Sequence, residues 1–490
     1  MTPRELSTQP EAGRSASVLS QEQLVATAAL ALVSLPAALV STLPQAQFPA
    51  SMPTPLAVLL ALVGFACLLR GHPSLRRERW IAFLMFGIFV LRLSLALGIS
   101  RWWWWPQVLE FPANDWDKYE NMGWDLAQSG LSLESLSSYA LNEVGFVYLI
   151  GALYSILGRN PLALTVFFTF LGAWIALDLA EVVALTGGRK AACRSALLAS
   201  VMPASLFLGA LPAKDILVTF CFLKLLLILL QMQGPRGWSV WGIGQVSIWL
   251  LVMGVVRPTA PIVLLISLGG IFALERRKAA WSVVVFTGIF VFVGYAILTW
   301  RSAVFAPDFH ISPLSVSGFL YERTGGYSAT LSEVGLTFAT DEASSIALRT
   351  YWDGDVSKAY LIPLRAMLMI FVPFPPTTFT TLDMALSSFN TLLMLLLLPA
   401  AWAAIAHRGT GWQVSSRELS WLWLPMLVHV TVLSAALPFV HMRYSLPAHF
   451  LYVGLAAVGL RKDSRLAALY MILPLLLGIL YLLYIAVKGY

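Results

Sequence analysis

Long apolar runs recur along almost the whole chain, and they constrain its fold more than any other feature of the sequence. A helix needs roughly 20 predominantly apolar residues to cross the hydrocarbon core of a bilayer. A mean hydropathy of +0.77 over 490 residues is far too apolar for a soluble chain of this length. We therefore predict an all-α polytopic membrane protein. The runs lie near residues 24–43, 55–70, 80–100, 143–158, 161–185, 194–211, 213–233, 238–256, 258–274, 280–299, 361–376, 385–406, 419–439, 446–460 and 466–487.

Basic residues between the runs predict the orientation of the chain. Clusters of Lys and Arg in short loops are typical of the cytoplasmic side of a membrane protein. The formal net charge of +7 therefore reports topology and does not indicate nucleic-acid binding. The clusters are HPSLRRER (72–79), GGRKAACR (187–194), LERRKAA (274–280) and GLRKDSR (459–465).

Placing all four basic segments on one side requires 143–185 and 361–406 each to cross the bilayer once rather than twice. We therefore predict that 143–158 and 361–376 are partial or in-plane helices. The result is a bundle of roughly thirteen transmembrane helices, multi-pass in the cell inner (plasma) membrane. Segments 101–142 and 300–360 then lie on the external (periplasmic) side, and the second is long enough to form a small loop domain.

These assignments divide the chain into four predicted parts. They are a disordered cytoplasmic tail (1–23), a transmembrane catalytic module that includes the external acidic loop 101–142 (24–299), an external loop or cap (300–360) and C-terminal transmembrane helices (361–490).

One external segment, PANDWDKYENMGWDLAQSG (112–130), is acidic in a chain of which only 12% is charged. Its apolar residues recur at helical spacing, which predicts an amphipathic helix that begins near Asp115 and ends at Ser129–Gly130. We expect this helix to lie on the outer membrane surface. Trp116, Tyr119, Met122, Gly123 and Leu126 form the predicted apolar side, with Asp117, Glu120 and Asn121 on the other. Most of the acids, on this interpretation, cap and solvate the helix.

Asp115 stands apart from the other acids because it lies where the chain meets the surface helix. A carboxylate held at the membrane face can act as a general base towards a hydroxyl group. Asp115 is therefore a candidate catalytic residue.

The pattern of this segment resembles a motif of the GT-C superfamily of membrane glycosyltransferases, whose members include the protein O-mannosyltransferases and the aminoarabinose transferase of lipid A. The family often has a second acid directly after the first, where this chain has Trp116. The choice of base between Asp115 and Asp117 thus stays open, and the spacing to Tyr119 favours Asp115. Segments 143–158, 202–220 and 442–460 also resemble stretches of that family. The matching residues of the motif are Asp115, Tyr119, Met122, Leu126 and Gly130.

The resemblance implies a GT-C-like helix bundle with external surface helices. It also implies transfer of a sugar from a polyprenyl-phosphate-linked donor to an acceptor hydroxyl on the external face. The acceptor would be a glycan, lipid or protein. In such a single displacement the base takes the hydroxyl proton, and lipid phosphate leaves.

Cations at the ends of apolar runs are the candidates for binding the donor phosphate. A charge within the bilayer costs about 2.5–3.5 kcal/mol even on insertion scales, so Lys214, Arg257 and Arg443 need a reason to be there. The alternative is that they snorkel to lipid headgroups. Asp215 is either an acceptor-site acid or the ion-pair partner of one of these cations. The remaining candidates for substrate binding are Tyr119, Arg323, His441 and Tyr444.

Two other functions remain as alternatives. A polysaccharide polymerase or O-antigen-ligase-like transferase would use Arg and His residues of loop 300–360. A transporter or flippase of lipid-linked sugar would need broken helices in two matching halves and polar residues at mid-membrane. The two halves of this sequence show no such symmetry, and the charges are expected at the external face. No metal-binding motif is evident, so we predict no cofactor, and a divalent ion held by Asp115 and Asp117 is the remaining option.

Overall fold

The computed structural model describes residues 53–76, 78–101, 115–132, 144–210, 213–233, 239–257, 259–274, 360–371, 382–406, 416–436 and 445–460. Every regular element in this part of the chain is a helix or a short helical turn. The predicted tail 1–23, the runs 24–43, 280–299 and 466–487, and the cap 300–360 up to its last residue lie outside it. The helices are α1 Pro53–Gly71, α2 Arg79–Arg101, α3 Asp115–Gln128, α4 Val144–Leu157, α5 Pro161–Gly187, α6 Arg189–Val201, α7 Pro203–Ala210, α8 Lys214–Met232, α9 Val240–Val256, α10 Thr259–Leu274, α11 Ile362–Phe371, α12 Leu382–Ala406, α13 Ser416–Ala436 and α14 Leu446–Gly459.

Four of the described helices are long and apolar enough to cross a membrane, as judged by length and composition. These segments lie in α2, α5, α8 and α12, at Arg79–Leu97, Pro161–Gly187, Lys214–Met232 and Phe389–Ala406. Helices α4 and α11 are shorter, with 14 and 10 residues. At 1.5 Å per residue neither spans a hydrocarbon core of about 30 Å. The described residues thus have the character of a helical membrane protein, and roughly thirteen crossings remain a prediction.

The centre of the bundle is formed by α5 and α8. In the most apolar segment of each helix, the share of residues buried inside the protein is 89% for α5 and 83% for α8. The share for α2 is 33%. A helix that is apolar all round must be covered by other helices or by lipid, and these two are covered by protein. They therefore form the frame on which the peripheral helices are placed.

The run predicted at 194–211 is not one helix. It divides at Met202 into α6 and the eight-residue α7. Met202 has φ −59° and ψ 121°, the extended conformation that a following proline imposes. Pro203 cannot donate a backbone hydrogen bond, so the ladder stops at this point.

The basic segments meet at one end of the bundle. Arg189 bonds to the Ser74 carbonyl at 3.2 Å and to Glu78 at 3.2 Å. Arg194 donates to the Leu460 carbonyl. Loops 72–79, 187–194 and 459–465 are predicted to lie on one side of the membrane, and this arrangement is what that prediction requires. Which membrane face this end corresponds to stays a prediction. We call it the basic end.

Helices α3 and α4 lie at the other end, where α5 begins. α2 runs from Arg79 at the basic end for 23 residues, about 34 Å at 1.5 Å per residue. Gly145 near the start of α4 packs so closely on the end of α9 that a Cβ there would collide with the side chain and carbonyl of Val255. This contact brings α4 to the point where α9 ends at Arg257.

Candidate active site

Helix α3 is positioned by an apolar face that packs on α4. Tyr119, Met122 and Leu126 are buried, whereas Asn121 and Asp125 are exposed, so the predicted amphipathic character is confirmed. The predicted helix bounds are confirmed as well. The chain leaves α3 through Gly130 at φ 68°, and the Leu131 amide bonds back to the Leu126 carbonyl at 2.9 Å. The location of α3 on a membrane surface stays a prediction.

Glu120 does not belong to the solvated side of α3, so that expectation is wrong. Glu120 is only 5% exposed, and its carboxylate accepts two hydrogen bonds from Arg159, at 2.9 and 2.8 Å. The Tyr154 hydroxyl donates to the same carboxylate at 3.0 Å, and Arg159 also donates to Asn121 at 2.6 Å. These bonds fix α3 to α4 and to the corner before α5. We call Glu120, Arg159 and Tyr154 the clamp.

The protonation of the two donors suits this role. Burial, together with the Glu120 charge, raises the pKa of Tyr154 well above its ordinary value, so its hydroxyl stays protonated and donates. The hydrogen bonds to Glu120 raise the pKa of Arg159. The clamp therefore keeps its donors throughout the physiological pH range.

Replacing Glu120 by Ala should lower the free energy of unfolding by about 1–3 kcal/mol, because the buried Tyr154 hydroxyl and the Arg159 guanidinium lose their acceptor. The exposure of the Arg159 side chain, 42%, keeps the effect at the lower part of that range. The measurement is thermal unfolding in detergent. The matched control is Gln128→Ala, an exposed position on the same helix. Equal losses for the two variants would show that Glu120 has no special role.

Tyr119, on the apolar face of α3, contacts a buried lysine. The Lys214 ammonium donates to the Tyr119 hydroxyl at 2.7 Å and lies 5.0 Å from the centroid of its ring. The ring also packs edge-on against Phe146 of α4, with centroids 5.4 Å apart. Lys214 is the first residue of α8, where the helix dipole disfavours a cation. A lysine that is 8% exposed at such a position needs an anionic or dipolar partner to stabilise it.

Asp215 follows Lys214 and pairs with Arg257 at 2.6 Å. The two side chains are 4% and 15% exposed. Arg257 caps the C-terminus of α9, where a cation is favoured, and its amide bonds to the Met253 carbonyl at 2.8 Å. Of the two roles predicted for Asp215, the geometry matches the ion-pair partner.

The described residues thus bring together four of the predicted site residues, Tyr119, Lys214, Asp215 and Arg257, from α3, α8 and the end of α9. Asp115 and Asp117 lie in the first turn of α3, but their side chains are outside the part of the chain that the structure describes. Arg323, His441, Arg443 and Tyr444 are outside it altogether. Their predicted roles are therefore untested.

Sequence reasoning missed charges buried inside the bundle. Lys224 of α8 pairs with Asp178 of α5 at 2.6 Å and lies over the rings of Trp174 and Phe220. Arg92 of α2 is 2% exposed. The expectation that charges gather at the external face is therefore wrong for these residues. A charge in the middle of an apolar run is the signal that could have found them.

Within the described ranges no group of three or more His, Cys, Asp or Glu residues is arranged to hold a metal ion. The four residues of the site offer two cations, one carboxylate and one phenol. Such a set suits an anionic ligand better than a metal.

No known protein family matches the chain, and no curated protein matches it. A similar solved structure is the archaeal oligosaccharyltransferase AglB from Archaeoglobus fulgidus, in complex with an inhibitory peptide and a dolichol-phosphate. The identity is 14% and the TM-score 0.43, over 80% of this chain and 54% of that one. This chain thus corresponds to about half of that protein's length. Similarity at this level identifies neither an activity nor a substrate.

Proposed function

We propose that the chain is an integral-membrane glycosyltransferase of the GT-C type. It moves a sugar from a polyprenyl-phosphate-linked donor to a hydroxyl of a glycan, lipid or protein acceptor. The reaction takes place at the external face of the inner membrane, at the end of the bundle opposite the basic end. The observation that carries the proposal is the contact of Lys214 with Tyr119 of α3, the helix that begins with Asp115, next to the ion pair of Asp215 with Arg257.

The charges of this cluster match a phosphate leaving group. Lys214 and Arg257 supply two positive charges and Asp215 one negative charge, so the three residues together carry +1. Lys214 and Arg257 are both largely buried, where a charge interacts more strongly than in water. Cations held in advance at the place where charge develops are an effective source of transition-state stabilisation.

The reaction proceeds in one displacement. The acceptor oxygen forms a bond to the anomeric carbon while the bond from that carbon to the phosphate oxygen breaks. The hydroxyl proton passes to Asp115, and the electron pair leaves with the lipid phosphate towards Lys214 and Arg257. The configuration at the anomeric carbon is inverted.

Asp215 has a positioning role in this mechanism. Its carboxylate holds the Arg257 guanidinium at 2.6 Å, so that Arg257 is in place before the donor binds. Tyr119 does the same for Lys214, because its phenol oxygen accepts a hydrogen bond from the Lys214 ammonium at 2.7 Å. Arg443, Arg323, His441 and Tyr444 are proposed to complete the donor and acceptor sites.

The test is transfer of labelled sugar by the purified protein in nanodiscs, with membrane extract as acceptor. Synthetic polyprenyl-phosphate sugars should be substrates, with one polyprenyl phosphate released for each sugar transferred, and nucleotide sugars should not. Lys214→Met should lose transfer, whereas Lys190→Met, an exposed lysine at the basic end, should keep it. Failure of every lipid-linked donor, or equal activity of the two lysine variants, contradicts the proposal.

A transporter of lipid-linked sugar is the second candidate, and the buried Asp178–Lys224 pair with the broken helix α6–α7 is the observation that favours it. The pair is mutually compensated, however, and Lys224 is further stabilised by two aromatic rings. A flux assay in liposomes separates the candidates. Net movement of the lipid-linked sugar without transfer would support transport.

A further inference from the structure

Arg92 places a guanidinium inside the bundle, near the middle of α2. Its Nη2 donates to the Ser205 carbonyl and lies 3.1 Å from the Ser205 hydroxyl, while its Nε has no partner in the described part of the chain. Neither of these two bonds is to an acid. Burying a cation without a counter-charge is costly. The burial of Arg92 against Ser205 therefore calls for a structural reason.

Two glycines make room for this guanidinium. A Cβ at Gly172 of α5 would lie 2.5 Å from Nη2, and one at Gly209 of α7 would overlap the same atom. Arg92 therefore extends from α2 to the point where the backbones of α5 and α7 meet. A Cβ at Gly172 would also lie 3.3 Å from the Gly209 Cα, so the two backbones and the guanidinium meet at one point, which ties the position of α7 to that of Arg92.

Helix α7 depends on such contacts for its place. It has eight residues and follows the break at Met202, and helices this short have little stability of their own. A second contact comes from α12, where the Asn390 side-chain oxygen accepts a hydrogen bond from the Ala204 amide at 3.4 Å. Two buried polar side chains, one from α2 and one from α12, thus hold adjacent residues of α7.

The position of α7 determines where α8 begins. α7 ends at Ala210 and α8 starts at Lys214, so only three residues separate them. We propose that Arg92 is a positioning residue: by fixing α7 it holds Lys214 against Tyr119 and Asp215 against Arg257. The kinetic part of this inference rests on the proposed function, but the structural part does not.

The experiment compares Arg92→Met with Arg79→Met, the same substitution at an exposed position of the same helix. The first readout is the rate at which an amine-reactive ester acylates Lys214 in the full-length protein, measured by peptide mass spectrometry. In Arg92→Met the hydrogen bond between Lys214 and Tyr119 should loosen, which makes the amine more accessible. The acylation rate should rise roughly tenfold, the size of effect expected for the loss of one hydrogen bond to a charged group. Lys224, which is paired elsewhere in the bundle, should be unaffected.

The second readout is kinetic. Arg92→Met should raise the KM for the lipid-linked donor roughly tenfold, on the same reasoning, and lower kcat. Arg92→Lys, which keeps a charged donor, should recover part of both. Should Arg92→Met not fold, Ser205→Ala removes only the hydroxyl contact and should shift the same quantities less.

The outcomes separate the alternatives. Equal increases in acylation at Lys214 and Lys224 would show general loosening and overturn the inference. A lower Tm with unchanged Lys214 acylation and unchanged KM would do so as well. If the wild-type protein transfers no sugar, the proposed function fails, and the acylation rates alone decide whether Arg92 positions Lys214.

Discussion

Asp115→Asn should abolish sugar transfer, with kcat lowered by about 10²- to 10⁴-fold, the range that a general base contributes. Position 115 is the first residue of α3 and lies one turn before Tyr119, whose hydroxyl is bonded to Lys214. Residues four apart share one face of a helix, whereas position 117 is turned to the opposite side. Asp117→Asn should therefore keep most of the activity.

The measurement is single-turnover transfer from a synthetic polyprenyl-phosphate sugar at saturating donor. Thermal unfolding of both variants is the control for folding. Loss of activity in Asp117→Asn alone would reverse the assignment of the base. Retention of activity in both variants would remove the acidic segment from the mechanism.

Arg257→Met should lower kcat/KM by about 10²- to 10³-fold, the effect of deleting one group that stabilises developing negative charge. The variant should also be less stable by about 3–5 kcal/mol, because it leaves the Asp215 carboxylate buried without its cation. The two effects have different origins, and the double variant Arg257→Met/Asp215→Asn separates them.

In the double variant both charges are gone, so most of the lost stability should return. Transfer should not return, because the Arg257 guanidinium that stabilises the leaving phosphate in the proposed mechanism is missing. Unfolding in detergent and donor kinetics on the same preparations check both statements. Recovery of activity together with stability would mean that Arg257 has only a structural role.

Local features of the sequence predicted the ends of many helices. α3 begins at Asp115 and ends before Gly130, as its capping residues indicated. The proline at 203 could also have marked the division of run 194–211, because its effect on the backbone is local. Hydrophobic periodicity and capping depend on neighbours within one or two turns, and these are readable from the chain.

The sequence did not indicate which charged and polar side chains pair with each other across helices. Glu120 looked like a solvated acid of an amphipathic helix, yet it is buried against Arg159 and Tyr154. Lys214 was a candidate from its position at the end of an apolar run, but its bond to Tyr119 spans 95 residues of sequence. Arg92, Asp178 and Lys224 lie inside apolar runs, where the neighbouring residues of the sequence do not indicate a partner.

The sequence by itself determined that this is a helical membrane protein, where several of its helices begin and end, and which charged residues stand at run ends near an acidic segment. Only the tertiary structure decided that Lys214 meets Tyr119, that Arg257 meets Asp215, and that Glu120 is part of a clamp. The physical reason is that helix ends follow from backbone geometry and burial within a few residues, whereas ion pairs between helices follow from packing. Packing is set by the shapes of apolar faces distant in sequence, such as the contact of Gly145 with Val255.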